Sequence, residues 1–222
     1  QYIFTGDLIN DLPFGNETLN IVKSLTNYVV RGNKEEYITE YDKMKFDWEN
    51  IQFQNTVFMY NKLSKENLEY VKKLPLFLSL KFEDVSVFLC HGSPVAVEEL
   101  VHENDLEKID KYTKNLREDI LIFGHTHEKA WTKNVNNKIV INAGCAGVSP
   151  QNIKQAEYII LDIKGNNVSI EKRLVEFDIN ILKELINKSG ILKVDKVLMN
   201  LTYCAITGKS SIRHSFFVEA KQ

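Results

Sequence analysis

The run Asp119-Ile120-Leu121-Ile122-Phe123 leads straight into Gly124-His125-Thr126-His127-Glu128, and this junction constrains the fold more than any other stretch. Four consecutive apolar residues, cut off by a glycine and polar residues, read as a short buried strand. Gly124 permits a tight turn where the strand ends. If the chain stays extended beyond it, residues two apart share a face, so His125 and His127 point the same way. Their imidazoles then meet at a sheet edge, the place where α/β proteins usually bind ligands. Many His-x-His pairs are plain loop residues, so the meaning of this one depends on partners elsewhere.

Upstream, Tyr2–Thr5 reads as a strand, Leu19–Leu25 as a helix and Tyr28–Val30 as a β-branched strand, a βαβ pattern. Residues 37–73 read as helical and rather polar. Phe46, Ile51, Phe53, Val57, Phe58 and Tyr60 give them an apolar face, Ser64 is an N-cap and Pro75 a stop. Leu76–Phe82 and Val85–Leu89 form a hairpin that delivers Cys90-His91-Gly92. Asp105–Leu116 is a charged amphipathic helix. Further hairpins span Ala130–Ile141, with its turn at Asn136-Asn137, and Glu157–Phe177, with its turn at 164–167. After Asp178, an N-cap, the pattern is helical to the end, interrupted at Gly190. With no repeat and no linker, residues 1–222 read as a single α/β domain with a helical C-terminal extension over 178–222.

The chain opens on Gln1-Tyr2-Ile3-Phe4-Thr5, without an initiator methionine and in what reads as the second half of a strand. A parallel strand needs a partner and a crossover, about 30 residues in a βαβ unit. A first strand upstream of Gln1 is therefore expected. Lys plus Arg number 28 against 30 for Asp plus Glu. A net charge of −2 leaves no electrostatic footprint for nucleic acid or an anionic membrane. Cys90, Cys145 and Cys204 are odd in number and far apart, which fits free thiols in a reducing, cytoplasmic compartment. No apolar run approaches the roughly 18–20 residues of a membrane span.

Five strand ends share one character: Gly6-Asp7, Gly32-Asn33, His91-Gly92, Gly124-His125-Thr126-His127 and Asn142-Ala143-Gly144. Each joins a small residue to a carboxylate, amide or imidazole, donors that suit borderline divalent metals such as Mn²⁺, Fe²⁺, Co²⁺, Ni²⁺ or Zn²⁺. A carboxylate able to bridge, with several imidazoles, is the make-up of a two-metal hydrolytic site.

In this order and combination, Gly-Asp, Gly-Asn, His-Gly and Gly-His-x-His resemble the calcineurin-like metallophosphoesterases over Asp7 to about Gly147. The short length and the Asn142–Gly147 loop resemble the small prokaryotic phosphodiesterase-like branch. The resemblance implies a four-layer αββα sandwich with the site between two sheets. It implies that Asp7 bridges two metals, that Asn33, His91 and His125 complete one shell, and that His127 ligates the other metal. Mn²⁺ is the first expectation for both. Asp7, Asn33, Lys34 and His91 fall at the family's catalytic positions. The implied reaction is phosphate-ester hydrolysis, chiefly of phosphodiesters, by in-line attack of a metal-bridging hydroxide on a small-molecule substrate.

Two departures stand out. The family's first strand carries Asp-x-His, which supplies the remaining ligands of His127's metal, and no Asp-x-His occurs in these residues. Lys34 stands where the family usually has a histidine that protonates the leaving oxygen. A lysine can offset phosphate charge but stays protonated near neutrality, so it makes a slow general acid. Good leaving groups, diesters and aryl esters, are favoured accordingly. Both departures also fit a rival reading, a catalytically weak or inactive scaffold of the same fold that binds protein partners. In that reading the helical tail, with Tyr203, Phe216 and Phe217, is the partner surface. Its alternatives are packing over the sheet or contact with a second copy of the chain.

Taken singly, the residues have plainer readings: Asp7 and Asn33 as turn residues, His91 as an interior histidine. His102 and His214 read as solvated, Cys90 and Cys145 as small buried residues. Asp11 and Glu35 read as supporting or rim groups of the site.

Overall fold

Strands form where the apolar runs lie, and their burial follows from who their neighbours are. A computed structural model of the chain describes residues 1–43 and 46–208, with the backbone alone described at Lys196 and Asn200. His214, Phe216 and Phe217 lie outside the described residues. The amino-terminal part is helical: α1 (Gly15–Leu25), α2 (Asn33–Glu40), α3 (Gln54–Lys62) and α4 (Lys65–Lys73). Ser64 caps α4, its hydroxyl accepting from Asn67 N at 3.2 Å.

Next come β1 (Phe77–Phe82), β2 (Val85–Cys90), α5 (Leu106–Lys114), β3 (Ile120–Phe123), β4 (Trp131–Val135) and β5 (Lys138–Asn142). They build a five-stranded sheet in the order β1-β2-β3-β5-β4. Strand β3 runs parallel to β2 on one side and β5 on the other. A central parallel strand is covered on both faces, which is why Ile120–Phe123 is apolar without alternation and buried at every position. β6 (Gln155–Lys164) and β7 (Asn167–Glu176) form a separate antiparallel hairpin.

Four layers result. On one face of the large sheet, Ile109 and Tyr112 of α5 pack against Leu121, Phe123, Trp131 and Val140. On the other, Val87, Leu89, Ile120, Ile122 and Ile141 meet Ile159, Leu161 and Ile170 of the β6–β7 hairpin, together with Ile3 and Val30. The adjacent residues Phe4 and Val29 face the opposite way, onto Val22 of α1 and Leu74 and Tyr70 beside and within α4. The expected strands at Tyr2–Thr5 and Tyr28–Val30 reduce to one parallel bridge, Phe4 opposite Val29. Phe4 N donates to Tyr28 O, and Val30 N to Phe4 O. Both segments bend away at Gly6 and Gly32 before a longer ladder can form.

Helices α6 (Ile179–Ser189) and α7 (Lys196–Thr207) follow, α6 capped by Asp178 and ended by Gly190 in the left-handed region, φ +86°. The sequence left open whether this tail covers the sheet. Instead, Ile186 and Met199 pack on Phe58 of α3 together with Leu12 and Phe14. Ala205 and Ile206 pack on Val148, again with Leu12. The tail is thus built onto the loops at the end of the sheets. Among the described residues, no helix is long and apolar enough to cross a membrane.

Candidate metal centre

The Gly6-Asp7 and Gly32-Asn33 loops touch backbone to backbone. A Cβ on Gly6 would sit 2.5 Å from Gly32 N, and one on Gly32 would sit 2.2 Å from Asp7 Oδ1. No larger residue fits either place without moving the carboxylate. Asp7 itself has φ +56°, a conformation that costs a non-glycine residue roughly 1 kcal/mol or more. Glu35 stabilises it. Fully buried, its carboxylate accepts from Asp7 N, Leu8 N and Gly32 N, each at 2.8 Å.

The structure corrects the sequence reading here: Asn33, Lys34 and Glu35 are not loop residues but the first turn of α2. Glu35 sits three residues into that helix and reaches back to the capping position. The sequence places Glu35 near the site as a supporting or rim group, but not as the carboxylate that holds the Asp7 turn. The available signal was the Gly32-Asn33-Lys34-Glu35 spacing, a glutamate at the third helical position.

His91 follows directly on β2 and is 2% exposed. Its Nδ1 lies 2.6 Å from Thr5 O and donates to that carbonyl. In the neutral ring Nε2 is then the bare nitrogen. It faces Asn33 Oδ1 at 3.1 Å, His125 Nδ1 at 3.0 Å and Asp7 Oδ1 at 3.3 Å. His127 is oriented in the same manner: Nδ1 donates to Val148 O at 3.1 Å, leaving Nε2 3.4 Å from Asp7 Oδ2.

The expectation that His125 and His127 converge from an extended chain is corrected. Both occupy the left-handed region, φ +65° and +53°, with Thr126 N turned back onto Gly124 O. As a result they part company: His125 Nδ1 meets His91 Nε2 at 3.0 Å, while His127 Nε2 faces Asp7 Oδ2 at 3.4 Å. Three strained non-glycine residues in one site are a feature that structures keep where function over-determines them. Asn142, one of the five strand-end residues, does not reach this centre. Its Nδ2 donates to Gly124 O at 3.4 Å and Thr126 Oγ1 at 3.0 Å, so it braces the histidine loop.

The donor set fits a divalent cation. One ligand atom each from Asp7, His91 and His125 lies within 4.8 Å of the others. The inward atom of the Asn33 amide lies 3.1 Å from His91 Nε2, His125 Nδ1 and both Asp7 oxygens. As an oxygen it meets acceptors only. Turned the other way, the amide would donate to these acceptors; as placed, its Oδ1 would serve as a ligand to a cation while Nδ2 faces the Tyr37 hydroxyl, 3.4 Å away. Separations of 3.0 Å and 3.3 Å from His91 Nε2 to His125 Nδ1 and Asp7 Oδ1 are short enough for one divalent cation to be held by all three. On the other side, among the described residues, His127 Nε2 and Asp7 Oδ2 are the two donors that face each other.

Burial alone would raise Asp7, yet His91, His127 and Lys34 hold its carboxyl well below the usual range. His91 is buried too, which disfavours its charge, but Asp7 and the Thr5 carbonyl carry it upward. Burial and the neighbouring His91 lower His125. Glu35 is pushed up to about 7, by burial first and then by the charge of Asp7, with its N–H donors offsetting part of the rise. Lys34 is raised by Asp11, against its own burial, and by Asp7. Its Nζ lies 3.3 Å from Asp11 Oδ1.

The centre opens into a cleft of about 270 Å³, walled by Asp11, Lys34, Thr126, His127, Val148 and Pro150. A larger cavity of about 410 Å³ lies beyond Glu128, between His102 and Lys172, and contains none of the convergent donors. The carboxylate of Glu128 there meets His102 Nδ1 at 2.7 Å, so His102 is half-exposed but partnered.

Comparison with known proteins places the fold and the family. An uncharacterized protein of Methanocaldococcus jannaschii is 24% identical over 203 residues, 84% of this chain and 80% of that protein. The fold is similar to that of a hypothetical protein from Pyrococcus horikoshii, with TM-score 0.76 and 19% identity, covering 91% of this chain and 83% of that one. A metallophosphoesterase from Sphaerobacter thermophilus shares it at TM-score 0.67 and 18% identity, covering 90% and 87%. Residues 1–166 match the calcineurin-like phosphoesterase superfamily domain. With that match spanning Asp7, Asn33, His91, His125 and His127, the chain belongs to the calcineurin-like phosphoesterase superfamily.

Proposed function

We propose that the protein is a metal-dependent phosphodiesterase that hydrolyses a small-molecule phosphate ester with two divalent cations, Mn²⁺ foremost. The observation that carries this reading is the convergence of Asp7, Asn33, His91 and His125 on one point, with His127 on the far oxygen of the same carboxylate. Asp7, Asn33, His91 and His125 would hold one cation, and Asp7 and His127 would contribute to the other. When bound, such cations neutralise phosphate charge and make a water nucleophilic near neutral pH.

The chain's own groups set the rest. The carbonyls of Thr5 and Val148 orient the two imidazoles and leave Nε2 of each ring facing the centre. Glu35 holds the backbone of Asp7 in place through two of its hydrogen bonds. Lys34, paired with Asp11 and raised further from neutrality, keeps its proton and serves as a fixed charge at the cleft wall. A leaving oxygen therefore departs without a strong acid, which favours diesters and aryl esters. The three free cysteines, Cys90, Cys145 and Cys204, support a reducing, cytoplasmic setting.

The test is metal analysis combined with hydrolysis of bis(p-nitrophenyl) phosphate by Mn²⁺, Ni²⁺ and Zn²⁺ forms. We expect bound metal, and faster release of p-nitrophenolate from the diester than of phosphate from alkyl monoesters. Absence of diester cleavage in every metal form would sink the proposal, and a chain that also binds no cation would favour the scaffold reading.

A further inference from the structure

Among the described residues that wall the cleft, Lys34 is the lysine or arginine, and it is not alone: Asp11 stands 3.3 Å from its Nζ. Each side chain is 24% exposed, so the pair faces the space a substrate would enter. Asp11 is held there by its neighbours. Ile9, two residues before it, is buried among Leu19, Ile38 and Met59. Leu12, the next residue, packs into both clusters formed by the C-terminal helices. With anchors on either side, the carboxylate has little freedom to swing out of the cleft.

An incoming phosphate group therefore meets a neutral pair instead of a free cation. A phosphodiester carries one negative charge, while a monoester carries close to two near neutral pH. Lys34 attracts the second charge, and Asp11 repels it over a similar distance. From this placement we propose that Asp11 is a charge filter that sets specificity in the cleft, admitting singly charged phosphodiesters in preference to doubly charged phosphomonoesters. The inference rests on the phosphoesterase reading of the same cleft and goes beyond it by assigning the selectivity to one side chain.

The experiment compares the wild-type chain with Asp11→Asn and Asp11→Glu, each Mn²⁺-loaded, in calorimetric titrations with inorganic phosphate and with dimethyl phosphate. Asp11→Asn should bind inorganic phosphate about fivefold more tightly, the effect of unmasking one partly exposed charge. Dimethyl phosphate should gain clearly less, and Asp11→Glu should resemble wild type. The ratio of p-nitrophenyl phosphate to bis(p-nitrophenyl) phosphate hydrolysis should rise by a similar factor in Asp11→Asn. Unchanged phosphate binding in Asp11→Asn, or equal tightening for both anions, would overturn the filter. If no form hydrolyses either ester while the titrations still separate the variants, the charge filter stands and the phosphodiesterase reading fails.

Discussion

The two sides of Asp7 are built differently. On the Oδ1 side, His91 is almost wholly buried, its ring is fixed by Thr5 O, and Asn33 and His125 close on the same point. On the Oδ2 side, His127 keeps about a quarter of its side chain exposed and, among the described residues, meets only Asp7 across the centre. Burial with oriented rings makes a well-positioned set of donors; exposure with fewer donors makes a weaker one. The cleft thus pairs a rigid half with an open half, and the Asp7 carboxylate is the element common to both.

Asp7→Asn tests that shared element and should have the largest effect. It removes the negative charge from both halves at once, so diester turnover should fall about a thousandfold and tight Mn²⁺ binding should vanish in calorimetry. Retention of a tenth of the activity would refute the bridging role. His127→Ala should strike one half only. Turnover should fall about 10- to 100-fold, while the tighter Mn²⁺ isotherm stays in place. Equal loss of both binding events would show that the halves are not separable.

Glu35→Gln probes the support behind the rigid half, and an affinity loss of about tenfold for the tighter Mn²⁺ is expected. It also carries a pH signature in the metal-free protein. Because Glu35 titrates near 7 when folded, above its ordinary value of 4.5, the native state binds the proton more tightly than the unfolded chain. Its contribution to stability is therefore lost as pH rises from about 4.5 to about 7, at no more than about 1.4 kcal/mol per pH unit. His91, also raised, adds a loss in the same direction above pH 6.5. Asp7, lowered, acts in the opposite direction and only in acid, below its ordinary 3.8. Urea titrations from pH 5 to 8 in EDTA should show this decline, and Glu35→Gln should flatten it; an identical slope in the variant would remove Glu35 as its source.

The smallest effect concerns Cys145, a buried thiol in the loop that leads to the cleft-wall residue Val148. Burial pushes its thiol up to about 11, so native protein at pH 7–8 should resist iodoacetamide at this position. Rapid labelling detected by peptide mass would show that this wall is looser than its burial indicates.

Much of the fold was legible because it is local. The unalternating run 120–123 marks a strand covered on both faces. The hairpins around Glu83-Asp84, Asn136-Asn137 and Gly165 follow from turn chemistry. The caps Ser64, Asp178 and Gly190 follow from the needs of helix ends. The order of the Gly-Asp, Gly-Asn, His-Gly and Gly-His-x-His pieces marked the residues that the fold brings together, although Asn142, alike in sequence, braces a loop instead. What escaped was anything set by long-range contact. Nothing near Glu35 in sequence indicates that it holds the backbone of Asp7, 28 residues away. Nothing in α6 and α7 indicates that they clamp Leu12 and Val148 at the cleft, away from the open sheet face.

The sequence by itself determined which side chains could bind a cation and roughly where each strand ends, because periodicity and turn residues act over a few positions. The tertiary structure decided the division of labour between His125 and His127. An extended chain would have aimed both rings one way, but left-handed turns at both residues, braced by Asn142, send His125 to His91 and His127 to Asp7 Oδ2. The packing of Gly6 on Gly32, which only a fold can bring together, places that carboxylate between them.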